Sequence, residues 1–242
     1  SIYKEILNIN IGNLGLNHPA IPLNMRRVSN IYEAKGEFNK AIEIINKAID
    51  LITKNESKKS DNLSTFYSDK AGIYSELGML NKALHLYQKS LDINLQNFSK
   101  NHPEISTALS NIGYIYLEIG LYKKAKKAFL EAIKINEYNF GYKSPLLITT
   151  LDNLALAHKS LEEHKKAKVI QLRSLEISEK HLGSDHPSLA TTLDNLAQTY
   201  SDEGNYKRAE SLMIRALDIT EKVYGEEHTQ TATRLNNLGV TY

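Results

Sequence analysis

The chain has no cysteine, which removes disulfide frameworks and thiolate metal sites and fits a reducing compartment. Charge of one sign is missing too: 30 basic and 28 acidic residues leave a formal net charge of +2. Binding to a phosphate backbone ordinarily leaves a strong basic bias, so nucleic acid is not expected as the main partner. No apolar run reaches the ~18 residues of a membrane span. The start, Ser1-Ile2-Tyr3-Lys4-Glu5-Ile6-Leu7, lacks the basic opening and continuous apolar centre of a secretion signal. These absences together lead us to expect a cytoplasmic protein with no membrane segment. Phosphate loops, dinucleotide fingerprints and serine elbows are also missing, so neither an enzyme nor a cofactor is expected.

What the sequence does contain is a repeat. His18-Pro19, His102-Pro103 and His186-Pro187 stand 84 residues apart, and Ser60-Asp61, Ser144-Pro145 and His228-Thr229 mark the half-steps of 42. The same step carries Gly36, Gly78, Gly120 and Gly204, and also Ala41, Ala83, Ala125, Ala167 and Ala209, without insertion or deletion. A period in this range denotes stacked supersecondary units, none of which can bury its apolar face alone. The frame divides the chain into a second helix at 1–17, repeats at 18–59, 60–101, 102–143, 144–185 and 186–227, and a first helix at 228–242. Both ends fall inside a unit, which reads as a fragment of a longer array.

Each unit reads as two helices. Ile105, Leu109, Ile112, Tyr116 and Ile119 recur every three to four residues and mark an amphipathic helix A. Gly120 ends it, since glycine accepts the left-handed conformation of a helix C-terminus. Ala125, Ala128, Phe129, Ala132, Ile133 and Ile135 then mark helix B, where small alanines allow close approach. Four histidines, His18, His102, His186 and His228, occupy equivalent loops too distant to converge on a metal or a proton, and they read as loop punctuation. The fourth unit departs from the pattern. Glu162 and His164 replace the glycine and the aromatic that end helix A elsewhere, so this turn is expected to be the weakest joint.

Leu109-x-x-Ile112-Gly113-x-x-Tyr116 followed by Ala125, Phe129 and Ala132 resembles the tetratricopeptide consensus over the whole chain. The phrase from His186 to Tyr200, with Leu193-Asp194-Asn195-Leu196-Ala197 at its centre, is similar to the kinesin-light-chain subtype. That resemblance implies an all-α fold, a right-handed superhelical solenoid of antiparallel helix pairs whose A helices line a concave peptide-binding groove. It implies no motor, because bacterial proteins use the subtype too.

Once the inward columns of helix A are removed, one exposed column stands out: Asn111, Asn153, Asn195 and Asn237. Asparagine is a mediocre helix former, and its amide can both donate to and accept from a peptide backbone. The resemblance gives these four that role; bonding between neighbouring helices is the alternative. Asp152 and Asp194 precede two of them, with Thr149, Thr191, Tyr114, Gln198 and Lys159 on the same face. Kinesin light chains receive acidic peptides in a basic groove, whereas acids prevail here, so a protein or peptide ligand with a basic centre is expected. The chain therefore reads as an interaction scaffold that binds a peptide segment or partner domain. The alternative is a regulatory arm of a larger enzyme or signalling protein, such as a CHAT-type peptidase or a signalling NTPase.

Overall fold

The computed structural model describes residues 2–55 and 62–240. The Ser60-Asp61 station and the closing Tyr242 lie outside them. The described residues are all-α, and the molecule divides into two compact units, residues 1–119 and 120–242. The first contains α1 (Ile2–Leu14), α2 (Ala20–Ala34), α3 (Phe38–Asn55), α4 (Leu63–Glu76), α5 (Leu80–Asn97) and α6 (Pro103–Glu118). The second contains α7 (Tyr122–Phe140), α8 (Ile148–Ser160), α9 (His164–Leu182), α10 (Pro187–Asp202), α11 (Tyr206–Tyr224) and α12 (Thr229–Val240), with a short 3-10 turn, Pro145–Leu147, leading into α8.

Helix pairing follows the apolar periodicity. In the first unit Leu7, Ile21, Met25, Val28, Ile45, Ile49, Ile52 and Phe66 bury one cluster, and Ala71, Ala83, Leu86, Tyr87, Ile112 and Ile115 bury another. In the second unit Leu189, Leu193, Ala216 and Ile219 lie beside Leu196, Ala197, Tyr200, Ala209 and Met213. Every member of the alanine column is fully buried. Side chains of that size leave no room for an added methylene, and overpacking such a site costs ~1–3 kcal/mol.

The histidine column turns out to be a set of helix caps. Nδ1 of His18, His102, His186 and His228 accepts a hydrogen bond from the backbone N–H two residues on, at 3.2–3.3 Å. Ser144 does the same with its hydroxyl, accepting from Leu146 at 3.3 Å. A capping acceptor satisfies a backbone donor that the helix cannot, worth about 1 kcal/mol. Two of the rings also stack on the preceding helix end, Phe98 on His102 and Tyr224 on His228.

The turn between α8 and α9 keeps the geometry of its glycine-bearing counterparts. Gly204 closes its turn at φ +76°, with Gly204 N–H donating to Ser201 and Asn205 N–H to Tyr200. Glu162 stands in the same slot at φ +60°, with Glu162 N–H donating to Lys159 and Glu163 N–H to His158. A left-handed glutamate is strained where glycine is not. Next to it, Glu163 accepts from Lys126 at 3.0 Å and contacts His158 Nδ1 and Lys166. The turn without glycine thus has an ionic brace that the repeat pattern did not foretell.

Candidate binding site

A cavity of about 570 Å³ opens on the A-helix face of the second unit, within the ~300–1,000 Å³ range of ligand sites. Helix α8 supplies Ile148, Thr149, Asp152, Asn153 and Leu156, α10 supplies Ser188, Thr191 and Asn195, and Pro145, Leu182 and the capping His186 close its end. Five of the residues singled out from sequence therefore meet in one place: Thr149, Asp152, Asn153, Thr191 and Asn195. They converge because each is repeated on successive A helices that pack side by side. The amides of Asn153 and Asn195 bond to no protein group among the described residues, and both are part-exposed. Both line the cavity.

Among the described residues, Asp152 is the only carboxylate that lines the cavity, and no lysine or arginine lines it. Its Oδ2 accepts from Thr192 Oγ1 at 3.1 Å, while Oδ1 is buried without a hydrogen-bond partner. The Ser174 hydroxyl is buried beside it, outside good hydrogen-bond geometry but close enough to ease its charge. Burial pushes the Asp152 carboxyl above its ordinary range, and the neighbouring Ser174 and Thr192 hydroxyls only partly offset this. A buried carboxylate without a counter-ion is held at high energy, so a cation brought to it gains more than it would from a solvated acid.

Asp194, one repeat later, has what Asp152 lacks. Arg234 of α12 pairs with it, and also donates to Thr220 Oγ1 at 2.5 Å and to the Ala190 carbonyl at 3.4 Å. Counting back 42 residues from Arg234 gives Thr192, and from Thr220 gives Ser178, whose buried hydroxyl has no partner. One column thus carries an arginine that neutralises its acid at one station and a threonine that cannot do so at the station before.

The remaining sequence candidates lie elsewhere. Lys159 pairs with Asp202 at 2.8 Å, and Gln198 donates to the same carboxylate at 3.0 Å. Asn111 reaches Ser68 at 3.5 Å within the first unit, where Tyr114 is exposed on α6. Asn237 is exposed on α12. In the threonine column, Thr107 and Thr233 bond back to carbonyls four residues earlier. Leu182, Ser188 and His186 escaped the sequence reading as cavity residues. His186 was legible as a loop marker, but nothing in its spacing placed it at a ligand's edge.

Antiparallel helix pairs with polar side chains repeated along one face define an all-α helical-repeat scaffold for protein–protein interaction. Residues 61–137, 146–221 and 201–242 match a family model described as tetratricopeptide repeat, and residues 27–55 match a second model of the same description. The chain belongs to the tetratricopeptide repeat family. No curated protein matches it. Among solved structures it is similar to BtubC (BKLC) from P. vanneervenii, with 23% identity over 94% of this chain and 90% of that one and a TM-score of 0.77. A kinesin light chain of Podosopora anserina with nearly identical TPR-like repeats gives 19% identity, 85% and 97% coverage and a TM-score of 0.73. The apo form of RapI gives 18% identity over 96% of this chain and 61% of that one, at a TM-score of 0.72. At such identities the likeness establishes the fold alone.

Proposed function

We propose that this protein is an interaction scaffold that takes an extended segment of a partner protein across α8 and α10, with a basic side chain of the segment entering the cavity to meet Asp152. The observation that carries this reading is the unpaired, buried carboxylate in a cavity that has no other charge. Ile148, Leu156 and Leu182 offer apolar walls for the aliphatic stem of a lysine or arginine, while the carboxylate takes its head. Asn153 and Asn195 lie where their amides can bond the segment's backbone, giving affinity without reading sequence; Leu156 supplies part of the selectivity. Nothing in this arrangement performs a reaction, and the asparagines and the acid act only as binding groups.

The test is selection from a random peptide library on the intact chain. Enrichment of lysine or arginine at one position, lost in an Asp152→Asn variant of unchanged helicity, supports the reading. Enrichment of acidic positions would refute it.

A further inference from the structure

The first unit has an arrangement of its own. Gly72 sits in α4 with an ordinary helical φ, so its backbone does not require glycine, which costs about 1 kcal/mol against alanine in a helix interior. Packing does not require it either. A Cβ built there would stand 3.7 Å from Tyr87 Oη and 3.8 Å from Glu33 Oε1, both ordinary contacts. What the missing side chain leaves is a gap with two oxygens at its edge.

Tyr87 reaches this gap from α5, behind α4. It is 8% exposed, and among the described residues its hydroxyl has no hydrogen-bond partner. Glu33 on α2 and Glu76 on α4 add carboxylates, and neither forms an ion pair among the described residues. Asp69 is close by but already paired with Arg26. Burial first and then the neighbouring charges shift these groups: burial, Glu76 and Asp69 raise Glu33, and burial followed by Asp69 and Glu33 pushes the Tyr87 hydroxyl up to about 12. On α6, Tyr114 is 41% exposed and close enough to add to the field at Tyr87.

We propose that Gly72, Glu33, Glu76 and the Tyr87 hydroxyl form a cation-accepting subsite for an arginine side chain of a partner protein, with the exposed Tyr114 ring as its stacking face. It rests on the reading that the scaffold binds basic segments and names a second acceptor for them. Arginine fits better than lysine because its planar fork can bond several oxygens at once and its face stacks on an aromatic ring. Among the described residues no group of three or more His, Cys, Asp or Glu side chains could hold a metal ion, and the two unpaired carboxylates beside a hydroxyl suit an organic cation. Glycine keeps the approach clear, since a Cβ at 72 would contact both the Tyr87 hydroxyl and the Glu33 carboxylate.

The experiment is fluorescence anisotropy on the full chain with a labelled, acetylated peptide of four Gly-Arg repeats, compared with Gly-Lys and Gly-Gln versions at fixed ionic strength. The arginine peptide is expected to bind most tightly. Glu33→Gln with Glu76→Gln should weaken it on the order of tenfold, whereas the charge-matched control Glu226→Gln with Glu227→Gln should leave it within about twofold. Gly72→Ala should weaken binding while the thermal melt holds or rises, and Tyr87→Phe should weaken it by a smaller factor. Equal binding of the lysine peptide, or an unaffected Gly72→Ala, overturns the subsite. Loss of binding in Asp152→Asn alone, with the Glu33/Glu76 pair indifferent, overturns this inference while sustaining the Asp152 site. A parent chain that does not separate the Gly-Arg peptide from the Gly-Gln peptide overturns both.

Discussion

Thr192 and Asp152 are joined by one 3.1 Å hydrogen bond, which leaves the carboxylate in the second unit's cavity without a counter-ion. One repeat on, the equivalent union is the Arg234–Asp194 ion pair. Thr192→Arg should therefore close the site from within. The new guanidinium would find Asp152, the idle Ser178 hydroxyl and the Ile148 carbonyl, the counterparts of Arg234's partners. Basic-peptide binding is expected to fall by an order of magnitude or more. Competition binding reads this directly. A Thr192→Arg chain that folds and binds as before would separate Asp152 from recognition.

The same carboxylate should limit stability. Its folded pKa is raised by burial, so the folded state holds the proton more firmly than the unfolded chain does. Stability from this group is fully present below the ordinary carboxylate range and declines as pH rises through the raised folded value. Asp152→Asn should raise the melting temperature at neutral pH even as it weakens the ligand, a trade common at binding sites. Calorimetry at pH 7 checks the sign.

The asparagine pair should behave differently from the acid. Replacing Asn153 and Asn195 with alanine removes up to two backbone bonds each, and should cost a groove-bound peptide about 2–4 kcal/mol. Its sequence preference should not change, because a peptide backbone is alike at every residue. Library selection against the double variant distinguishes lower yield from altered preference.

Acid should loosen the α8–α9 turn first. Lys126, with His158 and Lys166, holds Glu163 down to about 2, so its stabilisation is complete above its ordinary 4.5 and is lost as pH falls toward 2. Burial lowers His158 below its ordinary 6.5, so protonating it also opposes the fold, from about that pH downward. Both signs agree. Relative to the intrinsic rate of an unfolded chain at each pH, hydrogen exchange in 159–166 should accelerate between pH 6.5 and 3 more than in the glycine turn around Gly204. Equal acceleration at both turns would show that the brace contributes nothing.

The repeat, its helix pairs and its buried alanines were legible because a 42-residue step repeats identical physical demands on identical columns. So was the convergence of Thr149, Asp152, Asn153, Thr191 and Asn195, since like columns on neighbouring helices must meet. The inequality of Asp152 and Asp194 was harder to see. It depends on Thr192 and Arg234, which share a column 40 residues downstream of the two acids, and a scan for similarity passes over a column in which the residues differ. The capping role of His102 and His186 is legible in the sequence: a ring nitrogen accepting the second N–H of a helix follows from histidine standing just before an N1 proline. The Glu163 brace had no signal in the period, because Lys126 lies 37 residues away in sequence, off the 42-residue step, and is adjacent only after packing.

The most direct test of the account is the affinity of a matched pair of peptides, identical except for a central lysine or glutamate, measured by calorimetry on the parent chain and on Asp152→Asn. The account predicts that the parent prefers the lysine peptide by at least about tenfold and that the variant loses this preference while remaining helical. Equal affinities in the parent, or a preference for glutamate, would contradict it.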